Sequence, residues 1–417
     1  MLLIKNIGLL QTPVGNTPAR GAAQGENKKL RDAALLLDDG VIKAVYEDGE
    51  LPFCGQDVRV LDAGGRLATP GLIDAHTHLV FGGWRQHEVP LRLRGASYLE
   101  ILRAGGGILD TVRRTREATE DELYERSRAF LGEMLQNGVT AVEAKSGYGL
   151  NLDHERKQLR VMRWLNITQP VEVVPTFMGA HAVPEEFAGN ADGYIGYLCE
   201  KVLPAVAEEG LALFADVFCE DSAFGVAESR RYLLAAQRLG LGLKIHADEI
   251  EELGGAALAG ELGAVSAEHL IATGERGMAA LAKGGVTAVL LPQTSFYLNQ
   301  PFAQARRMIG LGIPVAVASD FNPGSSPSLN LQLAMNLAYL RYGMTPEEVL
   351  TAVTRNAACA AGMGERAGTL EAGKQADLVL WDAPDMEMLC YRFGSNQVHT
   401  VIKKGETAYE SHGAAAI

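Results

Sequence analysis

The chain has 417 residues, 47% of them apolar and 21% charged, a composition that excludes a disordered or membrane-embedded polymer and leaves room for a barrel of roughly 250 residues plus a smaller module. Its formal net charge of −13 argues against nucleic acid or an acidic membrane as partner, because phosphate binding needs a basic face. Five scattered cysteines (Cys54, Cys199, Cys219, Cys359, Cys390), never in a CxxC spacing, and a start without a basic signal region predict a cytoplasmic protein with free thiols.

Residues 1 to about 66 contain short strand-like pieces divided by turn signals at Asp38-Asp39-Gly40 and Ala63-Gly64-Gly65. From Gly71 onward, β-branched apolar runs alternate with helical patterns. Strands are predicted at Gly71 to Leu79, Thr140 to Lys145, Val171 to Met178, Phe214 to Cys219, Gly242 to His246, Ser266 to Leu270, Thr287 to Leu291 and Pro314 to Ser319. Among the intervening helices, Thr119-Glu120-Asp121-Glu122 has the form of a capping box, opening a helix whose Phe130, Leu131, Met134 and Leu135 share a face and which Gly138 can close. Thr345-Pro346-Glu347-Glu348 puts proline at a first helical position after a threonine cap.

Eight nearly continuous apolar strands alternating with helices form the pattern of an α/β protein with a (β/α)₈ TIM-like barrel, whose strands are covered on both sides. A doubly wound open sheet gives a similar pattern, and the count of eight favours the barrel. Ala376 to Asp382 and Val398 to Lys403 are strand-like again. The expected division is therefore a barrel over 67–364 and a small composite β-sandwich built from 1–66 and 365–417.

Polar residues collect at the C-terminal ends of the predicted strands, where a barrel of this kind places its active site. His76 and His78 lie two apart on the first strand and point the same way. His246 ends the fifth strand, with Glu249 three residues on; His269 ends the sixth and Asp320 the eighth; Tyr148 and His181 follow the second and third. A lone His-x-His in an apolar strand is as well explained by a buried, hydrogen-bonded pair. Its coincidence with further polar groups at other strand ends would require several independent accidents. Neutral imidazoles and one carboxylate suit a borderline divalent ion such as zinc or ferrous iron, so His76, His78, His246 and Asp320 are the candidate ligands. Such an ion lowers the pKa of a bound water to ~7, and Glu249 and His269 are placed to handle protons. Glu249 also sits in a run of acids that is an ordinary solvated face, and His269 is equally a structural hydrogen-bonding group.

Other groups carry softer signals. Arg85, in a Gly-Gly-Trp-Arg loop, can hold a substrate carboxylate by a charge-assisted pair worth ~1.5 to 3 kcal/mol, although a surface arginine looks the same. Asn322 to Ser326 is a turn able to offer donors to an anion, and Gly105 to Gly107 is a candidate hinge or merely a loose loop. Lys145, at a strand end, is expected to be structural rather than a carbamylated bridge between two metals. His87, His154, His399 and His412 are expected at the surface.

Pro70 to His78 resembles the first-strand signature of the amidohydrolase superfamily, and Gly368 to Asp382 is similar to the C-terminal β segment of that superfamily. Five further stretches, at 143–150, 175–184, 246–249, 292–298 and 318–325, together resemble one ring-opening branch of it, and the match spans nearly the whole chain. The resemblance implies hydrolysis of 4-imidazolone-5-propanoate to N-formimino-L-glutamate in histidine degradation, with one zinc or iron ion. It implies His76, His78, His246 and Asp320 as ligands, and Glu249 and His269 in proton handling. It also implies Arg85, Tyr98, Tyr148, His181, Glu249, Asn322, Gly324 and Ser325 as substrate contacts, and a homodimer. The alternatives are a deaminase of an amidine-containing ring in the same superfamily and, more remotely, a non-catalytic scaffold with the same fold.

Overall fold

The computed structural model describes residues 1–51, 58–95 and 106–411; Cys54, Tyr98, Gly105 and His412 lie outside them. Five strands come first: β1 (Leu2–Pro13), β2 (Asn27–Asp38), β3 (Val41–Tyr46), β4 (Arg59–Asp62) and β5 (Leu67–Pro70). β1 pairs antiparallel with β2 and parallel with both β4 and β5.

The chain then enters the barrel through Gly71. A side chain there would lie 2.4 Å from Thr140, so only glycine lets the strand pass this close to its neighbour. Eight strands follow in spatial and sequence order: β6 (Leu72–Thr77), β7 (Val139–Lys145), β8 (Glu172–Ala180), β9 (Phe214–Cys219), β10 (Gly242–Ala247), β11 (Ser266–His269), β12 (Thr287–Leu290) and β13 (Val315–Val317). All neighbouring pairs are parallel. Beyond β13 the chain returns to β6, with Thr77 bridging Phe321 in parallel, and this contact closes the barrel. All eight predicted barrel strands are present. Most of their residues are buried on both faces, which is why they read as apolar runs.

Three last strands, β14 (Leu378–Trp381), β15 (Val398–Lys403) and β16 (Glu406–Glu410), return to the first sheet. β14 pairs antiparallel with β5, giving the order β16-β15-β14-β5-β1-β2-β3 with β4 on β1. The two ends of the chain thus build one sheet beside the barrel. The predicted capping box forms, with the Thr119 hydroxyl accepting from Glu122 N at 3.2 Å, and the predicted Thr345 cap with its following proline is a capping box as well, the Thr345 hydroxyl accepting from Glu348 N at 3.3 Å. The expected helix face is buried at Leu131, Met134 and Leu135, and Phe130 stacks on Phe81. Among the described residues no helix is long and apolar enough to cross a membrane.

At the junction of the two sheets, Trp381 is fully buried and donates from its indole nitrogen to the Thr69 hydroxyl at 2.8 Å. Glu172, at the start of β8, meets Arg366 at 2.5 Å and Lys403 at 3.6 Å, while Lys403 also meets Asp377 at 2.7 Å. Burial pushes the Glu172 carboxyl up, but the hydrogen bond from Arg366 and the charges of Lys403 and Arg366 outweigh it and hold the pKa down to about 2. A depressed carboxylate stabilises the fold above its unfolded pKa, and that contribution is lost as pH falls toward the folded value. Glu172→Gln is therefore expected to lower unfolding free energy at pH 7 by about 2 kcal/mol, allowing for partial exposure. In urea titrations the gap from the parent chain should narrow between about pH 5 and pH 3; a gap independent of pH would refute the assignment.

Candidate metal-dependent active site

The mouth of the barrel holds a cavity of about 580 Å³. His78, His246 and Asp320 line it, from just past β6, from β10 and from the seam after β13, with His76 of β6 against Asp320 and His246; each of the four is at most 3% exposed. His76 Nε2 lies 3.4 Å and His78 Nε2 3.6 Å from the same Asp320 oxygen, and the His76 and His246 rings are 4.7 Å apart.

The tautomers of two of these histidines follow from their neighbours. His76 Nδ1 lies 3.0 Å from a Glu268 oxygen and His246 Nδ1 lies 3.1 Å from an Asp216 oxygen. Each carboxylate accepts the Nδ1 proton and leaves the Nε2 lone pair facing the centre, the arrangement that orients metal-ligating imidazoles. Both Nε2 atoms are buried and have no hydrogen-bond partner. Burial holds His76 and His78 well below the usual histidine range, with neighbouring cations and imidazoles adding to it, so both are neutral at pH 7. Unpartnered, neutral, buried nitrogens beside a carboxylate fit a divalent ion of the zinc or iron type.

His269 stands closer to this centre than a purely proton-handling role requires. One of its ring nitrogens falls with those of His76 and His246 in a set whose ligand atoms all lie within 4.8 Å, as do His76, His78 and Asp320 in another. Its Nε2 is also 3.6 Å from a Glu249 oxygen. Burial, with the nearby Asp320 charge, raises the Glu249 carboxyl to about 8, a group able to exchange a proton near neutral pH. His269 and Asp320 both have left-handed backbone, φ 67° and 53°, at the ends of short strands. Non-glycine residues held there store strain of the kind that gathers at functional sites.

Arg85 also lines the cavity and rests on the turn from Asn322 to Ser325. Its backbone NH donates to Pro323 O at 3.1 Å, and its guanidinium lies where a side chain on residue 324 would be, 1.3 Å from the position a Cβ would take. The Asn322 side-chain Oδ1 shapes that turn by accepting from Gly324 N at 2.8 Å and Ser325 N at 2.7 Å. Tyr148 and His181 line the cavity as well, His181 stacking on His78 with ring centres 5.0 Å apart. Tyr98 lies outside the described residues.

The sequence reading expected a structural Lys145 but missed the partners that hold it behind the candidate ligands. Lys145 lies between Glu143 at 2.9 Å and Asp216 at 2.8 Å, and Lys244 reaches Ser266 at 3.1 Å. Their signal was charge at alternate positions of apolar strands, as in Glu143-x-Lys145, Lys244-x-His246 and Ser266-x-Glu268, which places both members of each pair inside the barrel. Thr294 was missed as well; its hydroxyl donates to Asp320 at 2.5 Å.

A closed parallel barrel with imidazoles and a carboxylate converging at its C-terminal mouth is the architecture of a metal-dependent hydrolase. Residues 67–408 match the amidohydrolase family, and the chain belongs to that family. An imidazolonepropionase of Bacillus velezensis is 48% identical over 99% of this chain and 98% of its own length, and one of Brevibacillus brevis is 49% identical over 96% of each. Among solved structures, a zinc-bound adenosine deaminase of Xanthomonas campestris matches with a TM-score of 0.72 at 20% identity, covering 99% of this chain and 94% of its own. A triazine hydrolase variant matches at 0.75 and 18% identity, covering 98% and 94%. At that identity the solved structures speak to the fold alone.

Gly324→Ala should push the Arg85 guanidinium off its seat while leaving the ligand cluster intact. Its expected effect is a rise in KM for a carboxylate-bearing substrate of roughly 10-fold or more with kcat little changed, the loss of one charge-assisted pair. Steady-state kinetics giving a parental KM would show that Arg85 does not hold the carboxylate from this position.

Proposed function

We infer that this chain is an imidazolonepropionase, hydrolysing the cyclic amide bond of 4-imidazolone-5-propanoate to give N-formimino-L-glutamate. The near-half identity to named imidazolonepropionases over essentially full length supports this reading. The observation that carries it at the site is one cavity lined by His78, His246, Asp320, Glu249, His269 and Arg85 together, with His76 completing the candidate ligand sets and His269 beside Glu249. That lining offers a metal-type centre and a cation to a small ring that carries both a carbonyl and a propanoate.

We assign His76, His78, His246 and Asp320 as metal ligands, and Arg85, Tyr98, Tyr148, His181, Asn322, Gly324 and Ser325 with Glu249 as substrate contacts. A zinc or iron ion held by His76, His78, His246 and Asp320 would supply Lewis acidity for the ring carbonyl and for water. The chain's own groups do the rest. Arg85 neutralises the propanoate and fixes the ring's orientation in the cavity. Glu249 takes the proton of the attacking water and, with His269, returns it to the ring nitrogen as the bond from that nitrogen to the carbonyl carbon breaks. The added oxygen stays on the former carbonyl carbon as a carboxylate, so no ammonia leaves. Tyr148 and His181 wall off the ring face from solvent.

We further propose that the enzyme acts as a cytoplasmic homodimer in histidine degradation. We also propose a division into a β unit from 1–66 and 365–417 and a barrel over 67–364, with β5 as the strand that passes between them.

Metal-loaded protein incubated with imidazolone propanoate should produce a species heavier by one water, identified by mass spectrometry as formiminoglutamate, with no ammonia detected. Chelation should abolish turnover, and zinc or iron should restore it. Glu249→Gln is expected to lower kcat by about 10²- to 10⁴-fold, the usual worth of a placed proton carrier. Ammonia release in step with substrate loss would instead favour a deaminase, and an intact ring with metal bound would overturn the reading.

A further inference from the structure

One buried acid touches the loop that carries Glu249 without lining the cavity. Glu220 follows β9, is 1% exposed, and turns its carboxylate onto three successive backbone amides of the neighbouring loop. One oxygen accepts from Glu249 N at 3.1 Å and Ile250 N at 3.2 Å, the other from Glu251 N at 3.3 Å. That loop runs from Asp248 to Gly254 without regular secondary structure, so no ladder or helix fixes the height of Glu249 above the ligands.

Electrostatics alone would keep Glu220 away. Asp248, Glu249, Glu251 and Glu252 crowd the same loop, and a fifth acid in a buried position is unfavourable unless its oxygens are satisfied. The three amides satisfy them, and charge-assisted bonds of this kind are about twice as strong as neutral ones. Asp248 ties down the other end of the loop, accepting from Gly254 N and Gly255 N at 3.2 Å each and from the Thr273 hydroxyl at 3.0 Å. Between these two anchors Glu249 projects toward His269.

We propose that Glu220 is a positioning residue for the reaction, holding the Glu249 carboxylate at its working place by gripping the Glu249 backbone. The proposal rests on the reading that Glu249 moves the proton. A shift of about 1 Å in such a group costs on the order of 10²-fold.

The test is a double-mutant cycle on the metal-loaded enzyme, using Glu220→Ala, Glu220→Gln, Glu249→Gln and the Ala/Gln double variant. Glu220→Ala should lower kcat about 10- to 100-fold, with KM and bound-metal stoichiometry unchanged. Glu220→Gln, which keeps one accepting oxygen and the side-chain shape, should recover part of the loss. If Glu220 works through Glu249, the double variant should be no slower than Glu249→Gln alone. A parental kcat in Glu220→Ala, or losses that multiply in the double variant, would overturn the role of Glu220 while leaving that of Glu249 standing. A fully active Glu249→Gln would overturn the reading of Glu249 itself, and the proposal with it.

Discussion

The candidate centre exists because the barrel closes. At the seam, Asp320 N donates to His76 O at 3.1 Å and His78 N donates to Phe321 O at 2.8 Å. These two backbone bonds join residues some 240 positions apart in the chain and set the Asp320 carboxylate against both first-strand histidines. The geometry has a cost, because Asp320 adopts a left-handed conformation worth of order 1–3 kcal/mol in strain. Asp74 helps to hold it, accepting from Ser319 N at 3.0 Å and from the Ser319 hydroxyl at 2.5 Å. β13 is accordingly only three residues long: past Val317 the backbone leaves the regular ladder to make the seam.

Beneath the ligands lies a buried ionic layer whose members depend on one another. Taking an ion from water into a protein interior costs several kcal/mol, so each charge here needs partners. Lys145 has Glu143 and Asp216; Lys244 has Ser266, with Glu268 at 3.8 Å and Glu143 at 3.9 Å. Burial lowers the Lys145 pKa, but its two carboxylates more than reverse this, so it stays an ammonium. An ammonium held between carboxylates is not available for carbamylation, which agrees with a structural place for this lysine. The layer's upper surface is what the histidines meet. Asp216 outweighs burial and raises His246, whereas burial prevails at His76.

Much of this architecture was legible in the chain. Parallel strands buried on both faces leave runs such as Thr287 to Leu291, and the eight runs could be counted directly. Their ends were less legible: Gly71 to Leu79 reads as one strand, yet the ladder stops at Thr77 because His78 turns its NH to the seam. The long β1 carries a bulge around Asn6, at φ 58°, that no periodicity announces. Of the candidate site residues, those at strand ends could be picked out because a barrel gives strand ends a meaning. Glu220 and Asp216 could not, since their partners lie about thirty residues away and nothing local marks the pairing. Gly324 gave no local sign either, because the reason for a glycine there is a guanidinium that arrives from residue 85.

On the proposed function, that guanidinium also answers the mismatch between an acidic protein and an anionic substrate. A net charge of −13 spread over a large surface repels an anion at long range, but at physiological ionic strength the field fades within about 8 Å. Inside the cavity the near groups decide. His76, His78 and His269 are kept neutral by burial, so they neither attract nor repel the propanoate strongly. Glu88, 3.8 Å from Arg85, is the acid that most directly competes for the guanidinium. The arginine nevertheless lines the cavity, its guanidinium packed where residue 324 has no side chain. On that proposal, selection for an anion is local and is built by shape as much as by charge: a glycine at 324 makes the room that the Arg85 guanidinium occupies.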